Sequence, residues 1–352
     1  MQKENLNLLD LIPSPGFCVR DQKIIKANFP ASRLNLAEGT DVMPLLLAGH
    51  SEYAQFQGGT LHLTLRAGIG IRGATVTRLD GEDVFLLDPE TESDALRALA
   101  LAARELRAPL TGILANAARL SESDGLSPEN REISARLNRG LYQLLRVVGN
   151  MSDAGTGSLL STQEILDADG LFREIIEKSQ TLTEDAGIRL TYQGLDTPVY
   201  TLAHRQMLER AALNLLSNAI KFSPKGSEIR VSLTRQGKLL SFSVQDEGDR
   251  IPENIRPQLF QRYLRQPAIE DPRQGIGLGM VLVQAAATEH QGAVLVDHPE
   301  NAGTRVTMTL AIRQGGQAPL RSNVLTVDYA GERDHALVEL SEFLPPEFYT
   351  QL

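Results

Sequence analysis

Leu96, Leu99, Ala103, Leu106, Leu110, Ile113, Ala117 and Leu120 follow one another at spacings of three and four without a break. Such a seam belongs to a long amphipathic helix that meets another helix along its length. Pro109 lies inside the seam, lacks an N–H, and is expected to kink the helix locally. Residues 121–128 read as a turn. Ile133, Leu137, Leu141, Leu144, Val148 and Met151 then mark the apolar face of a second helix. Two antiparallel helices of this length do not bury both apolar faces alone. Pairing of two copies through helices 93–120 and 129–153 closes a four-helix bundle and predicts a homodimer. A monomeric hairpin packed on a neighbouring region is the alternative.

The seam leaves long flanks on both sides, and 352 residues accommodate two or three domains. From Pro13 to Asp88 the chain reads as short strands broken by glycines. Phe17-Cys18-Val19 and Lys23-Ile24-Ile25 flank Arg20-Asp21-Gln22 as a hairpin would. Leu61, Leu63 and Leu65 alternate with His62 and Thr64, the pattern of a half-buried strand. Residues 74–79 and 84–87 read as two strands joined at Asp80-Gly81. The single cysteine, Cys18, excludes an internal disulfide and a thiolate zinc site, and its apolar setting predicts a buried small side chain. His50 and His62 read as surface or satisfied residues. The tail is expected to add a strand over 323–329 and a helix over 333–343.

The first residues, MQKENLNLLDLIP, lack the apolar core and cleavage site of a signal peptide. No stretch approaches the ~18 apolar residues of a membrane span. The most apolar helix carries Arg97, Arg104, Glu105, Arg107 and Arg119. A cytoplasmic location is therefore expected. The net charge of −9, with no basic cluster interleaved with aromatics, argues against nucleic acid as a partner.

The residues with the most chemistry lie further on. Asn214, Asn218 and Lys221 fall at i, i+4 and i+7 of a helical pattern, on one face. Two amide oxygens suit a Mg²⁺ that keeps several waters and bridges phosphates, and one ammonium neutralises phosphate charge. Asparagine is a mediocre helix former, so two on one face argue for use rather than filling. An alternating strand, 241–245, runs into Asp246. Gly275, Gly277 and Gly279 precede an apolar helix, where backbone amides can approach phosphate oxygens.

Taken in order, these segments resemble the two-component sensor histidine kinases over residues 90–313. Residues 208–223 resemble the N-box, Ser241 to Pro252 the G1 box, Leu259-Phe260-Gln261-Arg262-Tyr263 the F-box, and Gln274 to Met280 the G2 box. Arg104-Glu105-Leu106-Arg107-Ala108-Pro109-Leu110 resembles the H-box. Residues 16–35 are similar to the opening of a PAS domain, a fold that holds a small ligand or serves as a dimerisation platform.

The resemblance implies an α+β multidomain chain. Its parts are a PAS-like α/β domain over 1–90, a two-helix dimerisation hairpin over 91–155, an α/β-sandwich ATP-binding domain of the Bergerat type over 160–314, and a strand-helix extension over 315–352. It implies ATP and Mg²⁺ as cofactors. Asn214, Asn218, Lys221, Asp246, Gly248, Arg262, Tyr263, Gly275, Gly277 and Gly279 would bind ATP. Asn214 and Asn218 would hold the metal, and Asp246 would accept from the adenine amino group. Residues 264–274 correspond to the lid, with Arg265 and Arg273 as phosphate contacts or solvated charges.

The departures are specific. Position 104, where the family carries its phosphoacceptor histidine, is arginine. A guanidinium stays protonated and has no nitrogen lone pair with which to attack phosphorus. Glu105 keeps the acid beside it. Ala108 stands where Thr or Asn would orient water for phosphatase action, and Arg250 replaces the second glycine of the G1 box. Asn214 stands where the gyrase-type ATPases carry a water-activating glutamate; an amide is no general base. His204 stands where an aspartate is common, and His290 in a structural position. Three readings follow: an ATP-binding signalling protein that cannot phosphorylate itself and works on a response regulator or partner kinase; an active kinase for a histidine on a heterodimer partner; and a scaffold that no longer binds nucleotide.

Overall fold

The computed structural model describes residues 9–79, 81–88, 92–123, 125–156, 163–184, 187–252, 259–260, 278–299, 303–313 and 333–350. Strands β1 (Gly16–Arg20) and β2 (Lys23–Ala27) form the expected hairpin, turned by Asp21 and Gln22 at φ of 49° and 63°. Buried Asn28 then caps the short helix α1 (Phe29–Ser32). Its Oδ1 accepts from the Ala31 and Gly16 amides, each at 3.0 Å. After β3 (Leu46–Ala48) and α2 (His50–Ala54) come β4 (Thr60–Ala67), β5 (Gly70–Leu79) and β6 (Glu82–Leu87). These lie antiparallel in the order β2-β1-β6-β5-β4, with β3 also paired to β4. Leu61, Leu63 and Leu65 pack with Phe17 and Phe85, whose rings stack 4.7 Å apart. Cys18 is buried, which pushes its thiol up to about 11.

Helix α3 (Glu92–Ser121) runs unbroken through Pro109, and α4 (Pro128–Thr156) returns beside it. The Thr111 hydroxyl donates to the Arg107 carbonyl at 2.8 Å, one turn back. The seam divides into two stripes. Ala103, Leu110, Leu114 and Ala117 are buried with Leu141, Leu145 and Val148. Leu106, Ile113 and Leu120 stay about half exposed in the single chain, as do Ile133, Leu137 and Leu144.

Beyond the hairpin come β7 (Glu164–Asp167), α5 (Ala168–Glu184), β8 (Arg189–Gln193) and β9 (Tyr200–Ala203). They are followed by α6 (Arg205–Phe222), β10 (Glu228–Gln236), β11 (Leu239–Gln245), α7 (Leu278–Glu289), β12 (Val294–Asp297) and β13 (Arg305–Ala311). Five of the strands lie in the order β12-β13-β11-β10-β8, with only β10 and β8 parallel; β7 and β9 pair separately. Leu240, Phe242 and Val244 alternate inward along β11, and Phe242 stacks on Phe172 of α5 at 4.2 Å.

The two halves share one eleven-stranded sheet, because β4 pairs with β12: His62 faces Val294, Leu61 faces Leu295 and Thr60 faces Val296. This changes the expectation for β4. His62 and Thr64, alternating as a solvent face would, are buried because α7 covers that face. The Gln284 amide donates to His62 Nε2 at 2.7 Å, and the Thr288 and Thr64 hydroxyls lie 3.2 Å apart.

In the tail, α8 (His335–Glu339) is shorter than the expected helix over 333–343, and a 3₁₀ turn follows at Pro346–Tyr349. Asp334 caps α8, accepting from the Ala336 amide at 2.7 Å. The strand expected over 323–329 lies outside the described residues.

Candidate functional site

Helix α6 places Asn214, Asn218 and Lys221 along one face, as their spacing predicts. Asn214 is 1% exposed, and its Nδ2 donates back to the Arg210 carbonyl at 2.9 Å. A Cβ built on Gly279 would lie 2.7 Å from Asn214 Oδ1. A side chain at this position would push that amide oxygen aside where the first turn of α7 meets it. Asn218 is half-buried. The Lys221 side chain is only 8% exposed, and its Nζ bonds Glu342 Oε1 at 2.9 Å.

Asp246 follows β11 directly and is buried. Its Oδ1 accepts from the Gly248 amide at 2.8 Å and the Thr304 amide at 3.1 Å, so neither bond uses Oδ2. Burial raises its carboxyl above the usual range, against the lowering pull of those two amides and of His298. A Cβ at Gly248 would collide with the Phe222 carbonyl, and one at Gly303 with the Gly248 backbone. The last turn of α6, the loop after β11 and the loop before β13 thus converge on one spot. Gly303 and Thr304 were not singled out in the sequence; a glycine-threonine pair ahead of a strand carries no signal until Asp246 is seen to need its amide.

Arg250 is exposed and donates to the Pro299 carbonyl at 3.3 Å, on the loop after β12. Arg104 and Glu105 both lie on the exposed surface of α3, and Ala108 is exposed as well. Arg262, Tyr263, Gly275 and Gly277, with the segment 264–274, lie outside the described residues.

His204 and His290 are tied to each other and to α7. The His204 amide donates to His290 Nε2 at 3.0 Å, and His290 Nδ1 donates to the Ala286 carbonyl at 2.7 Å. That pair of bonds requires the neutral ring, and burial pulls His290 down to about 4. A histidine with a depressed folded value takes up its proton more readily when unfolded. Its contribution is complete above the ordinary value of 6.5 and declines as pH falls from there towards about 4. The loss is expected to total roughly 3 kcal/mol. Urea unfolding between about pH 7 and pH 4 checks this. His290→Gln should flatten the profile, and an unchanged profile would contradict the assignment.

The buried ion-pair network behind the site was also missed. Arg210, 3% exposed, bonds Asp153, Asn150 and Glu339, and Glu339 is fully buried. Arg146 bonds Glu339 at 3.0 Å, Glu342 at 3.2 Å and the Ser217 hydroxyl at 2.7 Å. A sequence shows single charges on helices, and only the tertiary packing reveals that these are inside.

Fold and site together define an α/β unit, with a buried aspartate at a glycine-lined spot, carried on a helical hairpin. Residues 203–314 match the family described as histidine kinase-, DNA gyrase B-, and HSP90-like ATPase, and residues 95–157 match the His Kinase A (phospho-acceptor) domain. These two regions carry the ATPase and phospho-acceptor domain types of histidine kinases. The chain is 29% identical to the sensor protein KdpD of Clostridium acetobutylicum over 58% of its own length and 23% of that protein's. Identity to the sensor histidine kinase CusS of Escherichia coli K12 is 28%, over 65% and 46%. For the bacteriophytochrome of Pseudomonas aeruginosa it is 31%, over 62% and 30%. The crystal structure of full-length ShkA in complex with AMPPNP shares the fold at a TM-score of 0.52 and 23% identity, over 62% of this chain and 46% of that one. The chain thus spans about a quarter to a half of the first curated relatives it matches. Among the described residues, no helix is long and apolar enough to cross a membrane.

Proposed function

We propose that this protein binds Mg-ATP and signals by conformation, without phosphorylating itself. The observation that carries the reading is a conjunction: Asp246 and the Asn214–Gly279 contact form a nucleotide floor, while position 104 on α3 is an exposed arginine. The floor fits the cofactor. Asp246 is a buried acceptor for the adenine amino group, held by the Gly248 and Thr304 amides. Asn214 Oδ1, aimed at the Gly279 backbone, and Asn218 one turn on are the donors for Mg²⁺; Lys221 balances phosphate charge. ATP, when bound, supplies a γ-phosphoryl group activated by its metal. The protein positions it and neutralises charge, and a nucleophile must still attack. Arg104 has no lone pair for that, and Asn214 and Ala108 cannot activate water.

The rest of the reading follows the same chain. The 1–90 unit is read as PAS-like, on the strand order β2-β1-β6-β5-β4. The hairpin of 91–155 pairs with a second copy through the half-exposed stripe of Leu106, Ile113, Leu120, Ile133, Leu137 and Leu144. ATP binding belongs to 160–314, and 315–352 is an extension. The protein is read as cytoplasmic, with a response regulator or a histidine kinase as partner. A second reading keeps the chain as a kinase for a partner's histidine, on the survival of Glu105.

Incubation with γ-labelled Mg-ATP, alone and with a cognate kinase, separates the two. Arg104→His is expected to raise acid-labile label on the chain from background to a detectable fraction. Failure of the variant to label, with nucleotide bound, would show that more than the acceptor is missing. Label on the kinase only when this chain is present would favour the second reading.

A further inference from the structure

We infer that the C-terminal segment 333–350 is an acidic strap whose Glu342 competes with nucleotide phosphates for Lys221. The inference rests on the nucleotide-binding reading and adds an inhibitor to it.

The strap is anchored by its apolar side. Val338, Leu340, Leu344 and Tyr349 are buried with residues of α4 and α6, and the Tyr349 ring meets Tyr142 edge-on at 5.0 Å. The Asn138 amide donates to the Tyr349 carbonyl at 2.8 Å. A short helix leaves its last carbonyls without partners. Here α4 serves the turn after α8: Arg139 donates to the Ser341 carbonyl at 3.0 Å and the Glu342 carbonyl at 2.8 Å, and Gln143 to Ser341 at 3.2 Å. These bonds fix the backbone from which Glu342 projects.

The two strap carboxylates differ in station. Glu339 is fully buried between Arg146 and Arg210 and acts as an anchor. Glu342 keeps 36% of its side chain exposed and takes Lys221 on Oε1 and Arg146 on Oε2. Lys221 belongs to the face that also holds Asn214 and Asn218, one residue before Phe222, whose carbonyl touches the Gly248 loop. A phosphate oxygen drawn to Lys221 would meet a carboxylate already 2.9 Å from that ammonium. The carboxylate repels an arriving phosphate and already neutralises part of the ammonium's charge, so nucleotide and Glu342 compete for Lys221. Because the strap also grips α4, freeing Glu342 loosens one tie between the nucleotide domain and the hairpin.

Calorimetric titration of the full chain with Mg-ATP tests this. Glu342→Gln is expected to tighten binding about threefold to tenfold, as loss of one partly exposed competing ion pair should. Its thermal midpoint without nucleotide should fall, so affinity and stability move in opposite directions. A merely structural role would lower both. Glu347→Gln removes an equal charge from an exposed strap position and should leave affinity unchanged. Amide exchange over 340–344 in the wild-type chain is expected to rise on saturation with Mg-ATP, which tests the strap with no substitution. Equal or weaker binding by Glu342→Gln, or unaltered exchange with nucleotide bound, overturns the strap and leaves the nucleotide reading standing. Absence of binding by wild type and variant alike overturns both.

Discussion

Replacing Arg210 with leucine is expected to destabilise the folded chain by about 3–5 kcal/mol, lowering its thermal midpoint by on the order of 10 °C. Arg210 is 3% exposed and joins α6 to Asp153 and Asn150 of α4 and to Glu339 of the strap. Arg210, Asn150 and Glu339 gave up water to enter the interior, while Asp153 stays partly exposed. Removing the cation takes from Glu339, fully buried, one of its cationic partners. The cost is that of a stranded buried charge, not of one weak surface pair. The double variant Arg210→Leu, Glu339→Leu should recover part of the loss, since it removes both ends of the Arg210–Glu339 pair. A double-mutant cycle in urea reads the coupling directly. A loss under about 1 kcal/mol for Arg210→Leu would show that the network is solvated and that the strap is not built into the core.

The second large effect falls on binding. Asp246→Ala is expected to weaken Mg-ATP binding by roughly 100-fold or more, because a buried charge-assisted acceptor for the adenine amino group is lost. The same substitution frees the Gly248 and Thr304 amides that Oδ1 now holds, so the loop loses its shape as well. Asp246→Asn keeps an acceptor oxygen and should fall between wild type and alanine. GTP, with a carbonyl where adenine carries its amino group, should bind the wild-type chain roughly 100-fold more weakly than ATP. Calorimetry on the three proteins checks the order. Equal affinities for ATP and GTP would remove Asp246 from adenine recognition.

The raised carboxyl of Asp246 adds a pH signature with opposite signs for folding and for binding. For folding, a carboxyl whose folded value is raised is penalised in its ionised form, so its share of stability improves as pH falls through that value. For binding, the ionised form is the one that accepts from adenine. Affinity should therefore decline on acidification, and should begin to do so at a higher pH than an ordinary aspartate would allow.

Much of this was legible before any fold was known. The hairpin was, because a period of three and four over more than twenty residues has one physical solution. Asn214, Asn218 and Lys221 were, because chemistry recurred at helical spacing. The two stripes within the seam were not: Ala103 and Leu106 look alike to periodicity, and only the packing of α4 on α3 decides which is covered. His62 is satisfied, one of the two expected outcomes, but the burial of its face was not legible, because alternation reports a strand's two faces and cannot say that α7 covers the second. The strap was invisible for a related reason. Glu339 and Glu342 carry no signal in the sequence, because Arg146, Arg210 and Lys221 arrive from 120 or more residues away, as the Lys221–Glu342 separation of 121 shows.

The central claim is that this chain holds ATP and does not keep its phosphate. Retention of γ-labelled Mg-ATP by the native wild-type chain, counted before and after denaturation, tests it most directly. The account predicts saturable label on the native chain and none after denaturation. Label that survives denaturation at an acid-labile site, or no retained label at millimolar nucleotide, would contradict it.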